Sequence, residues 1–350
     1  MTQAVILGPV PDSAGGIGML MGHLSRAPGS RVPLRFVDSG GTPGPVPRRL
    51  VRFAAAACVC AGSLPEHTVF HVNLSSGLST WRKLALVTIL WVRRRPYVLH
   101  LHGGKYTEFL ARTRPLARRA IREMFHRAAG VMVLGEFWRD TVIETLGVSP
   151  EKITVTPNAV PGPAEVPVRE GRPTVLFSGR LGRHKGVHDL LEAWASLPAE
   201  LRTTLVLAGD NPAPEELGDL LTRTPDVEVT GWLGARELEE RLAQASVLVL
   251  PSYGENLPMS LLDAMAWGLA PVVTDVGAVG EVVEDGRSAV VVPVGDPPAL
   301  AEALRSLLSD PERVTRMGRE ARRRWEEEYR IDNYCERLED VYERVAGPGT

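Results

Sequence analysis

The stretch VLVLPSYGENLPMSLLDAMAWGLAPVVT, from Val247 to Thr274, decides how the rest of the chain is read. VLVL is a short apolar run suited to a buried strand, and it breaks into the polar loop PSYGEN. Pro258 follows near a helix start, where a fixed φ and a missing N–H cost nothing. Leu261, Leu262, Met265 and Ala266 recur at helical spacing, and Gly268 suits a left-handed stop. APVVT then begins another strand. Strand, loop, helix and strand make a βαβ unit, whose ligand meets the loop at the strand's carboxyl end.

Two carboxylates carry the chemistry of this stretch. Glu255 sits on the loop, and Asp263 lies just over one turn into the helix, where side chains lean back toward the N-terminus. Both can reach a ligand resting on that helix end, with the amides around Leu257 to Ser260 and the helix dipole holding a phosphate. On the loop alone, a capping carboxylate with a solvated helix aspartate explains the same residues.

Working outward, the same alternation of strands and helices recurs in both directions. PTVLFSGRLGRHKGVHDLLEAW reads as strand, loop and helix, with Arg180 and Lys185 on the loop. Two cations at a strand's carboxyl end can neutralise a diphosphate, although exposed surface cations look the same in sequence. TTLVLAGD is a strand, VEVTGWLG a strand and turn bearing Trp232 and Leu233, and GREARRRWEEEYRIDNYCERLEDVYERV is helical with a break near Arg330. Toward the N-terminus, AVILGPVPDSAGGIGMLMGHLSRA reads as strand, glycine loop and helix. Gly15, Gly16 and Gly18 can let backbone approach a ligand, though the spacing is not G-x-G-x-x-G. DSGGTPGPVP is a loop, followed by two helix-like stretches and the strand TVFHVNL. In YVLHLHGGK, His102 stands at a strand end before two glycines, and His100 lies inside the strand. Residues 158–173, rich in Pro and Gly, read as a hinge. The pattern implies an α/β protein of two doubly wound, Rossmann-like domains facing across a cleft.

Composition bounds the reading further. At 350 residues the chain can bury two cores, and its apolar, charged and glycine fractions are those of a globular protein. The three cysteines are an odd count, and Cys58 and Cys60 in AAAACVC read as buried thiols of a reducing cytoplasm. The longest uncharged apolar run away from the N-terminus, Leu84–Val92, is about half a membrane span. Net charge is −2 overall, yet residues 1–170 carry 21 Lys/Arg against 11 Asp/Glu, or +10, and the remainder carries −12. Twelve basic and two acidic residues fall within Arg82–Arg127. That region implies an anionic partner on one side, such as a membrane surface, or else an arginine-rich solvated face. It lacks the interleaved aromatics of an RNA-binding sheet, so no nucleic acid is expected. No H-E-x-x-H, G-x-S-x-G or Walker sequence occurs, nor any regular metal-ligand spacing.

The segment from Pro251 to Asp296 resembles the donor-binding segment of retaining GT-B glycosyltransferases of family-four type, the glycosyl transferases group 1. That family carries two glutamates separated by seven residues, the first on the donor sugar and the second on the ribose. Glu255 matches the first; Asp263, one methylene shorter, stands at the second. The resemblance implies a diphosphate-stabilising role for Arg180 and Lys185, and a sugar contact for His102. It implies a phosphate-facing loop at Gly16 and Gly18, and base contacts at Trp232 and Leu233. Asn256, Leu257 and Pro258 complete the implied donor site, with neither metal nor cofactor.

The expected layout is an acceptor-side Rossmann-like domain over 1–160, a hinge over 161–172 and a nucleotide-sugar-binding domain over 173–330. A C-terminal helix over 331–350 returns, by resemblance, to the first domain. The expected activity is retaining transfer from a nucleotide-diphosphate sugar donor to a hydroxyl acceptor. The setting is bacterial exopolysaccharide, cell-wall or glycolipid assembly, with a lipid-linked glycan as acceptor. The protein would be cytoplasmic and peripheral on the inner face of the membrane. A soluble natural-product acceptor, a non-enzymatic or partner-dependent nucleotide-sugar binder, and a nucleotide-sugar epimerase are the alternatives.

Overall fold

A computed structural model describes residues 2–13, 15–27, 31–169 and 171–347. The chain divides into two compact units, one running to Ala159 and resuming at Ile331, the other spanning Val160–Arg330.

The first unit holds a six-stranded sheet of β1 (Gln3–Gly8), β2 (Leu34–Asp38), β3 (Thr68–Leu74), β4 (Tyr97–Leu101), β5 (Gly130–Val133) and β6 (Ile153–Val155). Its order is β2-β1-β3-β4-β5-β6, and every pairing is parallel. TVFHVNL is buried at all seven positions, the mark of a central parallel strand covered on both faces. The two helix-like stretches expected ahead of it lie on either side instead, at Val46–Ala61 and Leu78–Val92. The apolar run from Leu84 to Val92 goes into the core through Leu86, Val87 and Leu90. Among the described residues no helix is long and apolar enough to cross a membrane. Cys60 is buried but Cys58 is exposed, because residues two apart on a helix face about 200° apart.

One buried cation stands out in this unit. Lys83, 1% exposed, donates from Nζ to Ser39 Oγ at 2.6 Å, and burial lowers its pKa to about 7, with Arg82 adding to the shift. A buried amine avoids the cost of an unpaired charge by giving up its proton.

The second unit repeats the plan with β7 (Val175–Ser178), β8 (Leu205–Ala208), β9 (Val227–Gly231), β10 (Val247–Leu250), β11 (Ala270–Thr274) and β12 (Val290–Val292). Its order, β12-β11-β10-β7-β8-β9, is again wholly parallel. The chain winds outward through β8 and β9, then jumps back to β10 beside β7 and winds the other way. The strand order therefore reverses between β7 and β10, the place where open α/β sheets bind ligands.

VLVL and APVVT are fully buried strands around the helix Met259–Ala266. That helix is not amphipathic, since seven of its eight residues are buried. The helix Pro311–Arg324 packs on it from outside. Gly268 takes the left-handed φ of +67° that ends it. The stretch 161–169 of the expected hinge is strapped onto this unit. Arg322 donates to Pro163 O at 3.0 Å, and Arg169 donates to Trp267 O at 2.7 Å and Leu242 O at 3.0 Å. The helical C-terminal region breaks at Arg330, whose backbone is extended, after a π-helical turn at Trp325–Tyr329.

Candidate active site

The loops that follow β7 and β10 meet at the strand-order reversal. Glycines shape the first, and Gly186 leaves no choice. Its φ is +68°, and a Cβ there would stand 2.0 Å from Pro251 O, so only glycine lets the two loops touch. The Tyr253 amide donates to His184 O at 2.9 Å across the same junction.

This closure brings Lys185 and Glu255 together. Lys185 Nζ lies 2.5 Å from Glu255 Oε1, and Ser252 Oγ donates to the same oxygen at 2.8 Å. Among the described residues no partner meets Oε2, so the carboxylate is held by one oxygen and offers the other. The side chain of Glu255 is 10% exposed and that of Lys185 27%. Arg180, after β7, is exposed, and no ion pair engages it among the described residues. The loop thus presents one cation pinned to a carboxylate and one available.

Asn256, Leu257 and Pro258 are buried and lead into the helix, which has Pro258 at its N-cap position and no side-chain cap. The first amides of an α-helix have no intrahelical acceptor, so an uncapped end following the loop that Lys185 grips suits an anion. Asp263 is 8% exposed, and no hydrogen bond reaches its carboxyl among the described residues. Burial, with a contribution from Glu239, pushes its pKa up to about 7. The helix reading of Asp263 as a solvated residue is therefore excluded by its surroundings. Trp232, 53% exposed, and half-buried Leu233 follow β9, two strands from β7 and about 10 Å away at the usual strand spacing.

In the first unit the sheet order reverses between β1 and β3. Gly16 opens the helix Gly16–Arg26; Gly18 is buried, and a Cβ there would meet Ser13 O at 2.0 Å. The close approach made at Gly18 is thus to the chain's own loop. His102 follows β4 with its amide on Leu74 O, and its ring belongs to a cluster that sequence reasoning missed. His102 Nε2 is 2.9 Å from Asn73 Oδ1, and His71 Nε2 is 3.1 Å from the same oxygen. His71 Nδ1 is 2.7 Å from Tyr342 Oη on the helix Ile331–Ala346. Burial lowers the pKa of His71 to about 4 and of His102 to about 3, with His71 adding to the latter. The period-2 positions His71 and Asn73, on one face of β3, were the available signal.

Ser252, Gly186 and Tyr253 were likewise not singled out from sequence. Gly186 and Tyr253 act through loop-to-loop contacts that spacing along the chain does not encode, whereas Ser252 acts within its own loop on the carboxylate three residues on.

Comparison with known proteins agrees with this architecture. Residues 172–310 match the family described as "Glycosyl transferases group 1", and residues 10–159 match "Glycosyl transferase 4-like domain". The chain is 29% identical over 293 residues to alpha-D-kanosaminyltransferase of Streptomyces kanamyceticus, spanning 77% of this chain and 75% of that one. Among solved structures, sucrose-phosphate synthase from Thermosynechococcus elongatus superposes with a TM-score of 0.76 at 19% identity, over 99% of each chain. Anabaena Alr3699/HepE in complex with UDP-glucose superposes with a TM-score of 0.74 at 17% identity, over 97% of this chain and 99% of that one. At such identities the superpositions establish the GT-B fold alone. With one family match on each unit and a glycosyltransferase relative aligned across 77% of this chain and 75% of its own length, the chain belongs to the glycosyl transferases of group 1.

Proposed function

We propose that this glycosyltransferase moves a sugar from a nucleotide-diphosphate donor to a hydroxyl acceptor, with retention of anomeric configuration and without a metal. The observation that carries the reading is the Lys185–Glu255 pair at the strand-order reversal of the second unit, beside the exposed Arg180. The bond from the anomeric carbon to the diphosphate breaks as positive charge develops on the sugar. Arg180, Lys185 and the uncapped helix end take up the charge of the departing diphosphate, the role a divalent metal plays elsewhere. Glu255, steadied by Lys185 and Ser252 through Oε1, turns Oε2 to the sugar hydroxyls. The acceptor oxygen bonds to the anomeric carbon from the face the diphosphate leaves, and its proton passes to a diphosphate oxygen. A thermal-shift panel of UDP, GDP, ADP and dTDP sugars identifies the donor, because bound ligand stabilises in proportion to affinity and concentration. Anomeric coupling in the product's proton NMR spectrum then reads the stereochemistry, and an inverted product would contradict the proposal.

Asp263 is assigned the ribose. In the free protein its buried carboxyl titrates near neutrality, and two ribose hydroxyls donating to it favour the ionised form. Nucleotide affinity is expected to fall as pH drops below about 7, up to about tenfold per pH unit. Asp263→Ala is expected to weaken binding by roughly 1–3 kcal/mol and to flatten that pH dependence. Calorimetric titration between pH 5.5 and 8 checks both.

A second reading concerns where the acceptor resides. Val46, Leu50 and Val51 are 62–69% exposed beside Arg48, Arg49 and Arg52, and Leu116 is 85% exposed beside Arg118 and Arg119. Apolar side chains set among arginines suit reversible, salt-sensitive attachment to an anionic lipid surface, with a lipid-linked glycan as acceptor. Co-sedimentation with anionic vesicles at low and high salt tests it. A protein that ignores them at low salt acts on a soluble acceptor.

A further inference from the structure

One arrangement of protons in the histidine cluster of the first unit also gives the Asn73 amide nitrogen a partner. Asn73 fixes it at one end. Its Nδ2 lies 3.4 Å from Met21 Sδ, and a thioether accepts but cannot donate, so the amide gains a hydrogen bond there only with its nitrogen toward the sulfur. Asn73 Oδ1 therefore faces the rings, where it accepts from both His71 Nε2 and His102 Nε2. An amide oxygen has two lone pairs and no proton, so each ring must carry its proton on Nε2. Burial keeps both imidazoles neutral, each with a single proton. Nδ1 of each is then bare. For His71 the bare nitrogen accepts from the Tyr342 hydroxyl at 2.7 Å, which closes the far end of the chain. His100 Nδ1 lies 3.2 Å from His71 Nε2 and so is also an acceptor.

We infer that Asn73 is a positioning residue that holds His102 in the Nε2–H form, so that the half-buried ring presents Nδ1 only as a hydrogen-bond acceptor for a hydroxyl. This rests on the sugar contact that the resemblance implies for His102 and adds a selectivity to it. The site accepts a group that donates a proton there, and discriminates against a methyl ether, fluoride or carbonyl at the same position. Tyr342 supports the arrangement from the helix Ile331–Ala346, whose Tyr334 ring also stacks on His100 with centroids 6.4 Å apart. That helix is further tied to this unit by Glu339, which accepts from the Arg31 amide at 2.6 Å and from Arg31 Nε at 2.8 Å.

The test is long-range ¹H–¹⁵N correlation of the histidine rings in the intact, ¹⁵N-histidine-labelled protein at pH 7.5. The expected spectrum has His102 and His71 neutral with the proton on Nε2. An Nδ1–H form of His102 in the unsubstituted protein overturns the inference, whether or not any variant folds. Asn73→Leu, which removes the shared acceptor, is expected to give His102 a mixture of both forms. It should lower kcat at least tenfold while leaving affinity for the nucleoside diphosphate within about twofold. Asn73→Asp, which keeps two acceptors, is expected to restore the Nε2–H form. If Asn73→Leu leaves His102 wholly Nε2–H, Asn73 does not set the tautomer and the inference fails. Full transfer activity in His102→Ala would remove the sugar contact itself, a failure of the proposed function read separately from the spectrum.

Discussion

Lys185→Ala is expected to lower transfer by about a hundredfold or more, as is Arg180→Ala, because in the proposed reaction each supplies a cation to the departing diphosphate. Lys185 is the more informative of the two. It also holds Glu255 through Oε1, so its loss frees the carboxylate that orients the sugar and leaves that carboxylate half-buried beside Ser252 alone. The loss in Lys185→Ala should therefore appear in both kcat and KM for the donor, whereas Arg180, with no ion-pair partner among the described residues, should act mainly on kcat. Neither change should disturb folding, since Arg180 is exposed and the side chain of Lys185 is 27% exposed on a turn. Steady-state kinetics with the donor identified by thermal shift checks the expectation. Unchanged turnover in both variants would remove the diphosphate from this loop.

Much of this site was legible in the sequence because parallel α/β chemistry is local. VLVL, PSYGEN and the helix after them place Glu255 and the helix end by strand-loop-helix order alone, and the same order places Arg180 and Lys185. What sequence could not supply is the closure of one loop upon the other. The contact of Gly186 with Pro251 and the shared oxygen of Glu255 join residues about 65 to 70 positions apart. Asp263 reads either as reaching a ligand at the helix end or as a solvated helix aspartate, because its apolar neighbours recur at helical spacing. In the folded chain that helix is buried nearly all round, and Asp263 with it. The histidine cluster was legible only in part: His71 and Asn73 share one face of β3, but Tyr342 reaches His71 from 271 residues away.

Below about pH 6.5 the first unit is expected to lose stability. His71 is fully buried and its pKa stands at about 4 in the folded protein, against 6.5 for an exposed ring. Above pH 6.5 the ring is neutral in both states and contributes nothing to the balance. As pH falls through that value the unfolded chain takes up the proton first, and stability declines until the folded ring also titrates, near pH 4. The full cost for His71 is about 3 kcal/mol. His100, held well below its ordinary value by burial and by its histidine neighbours, and His102 add to it with the same sign. Asp263 in the second unit has the opposite sign, since a raised carboxyl pKa favours the folded state on acidification. Amide exchange at β3 and β4, compared between pH 7.5 and 4.5 after correction for intrinsic rates, resolves the first unit from the second. Equal protection at both values would contradict neutral buried histidines.

The central claim is that the strand-order reversal of the second unit holds a nucleotide-diphosphate sugar between Arg180, Lys185, Glu255 and Asp263. It is tested most directly by calorimetric titration of the intact protein with the UDP, GDP, ADP and dTDP sugars, repeated with Glu255→Gln and Asp263→Ala. The account predicts one site per chain for one nucleotide class, a weaker sugar contribution in Glu255→Gln, and a weaker nucleotide contribution in Asp263→Ala. Binding that is unaffected by both substitutions, or no binding by any of the four, would contradict it.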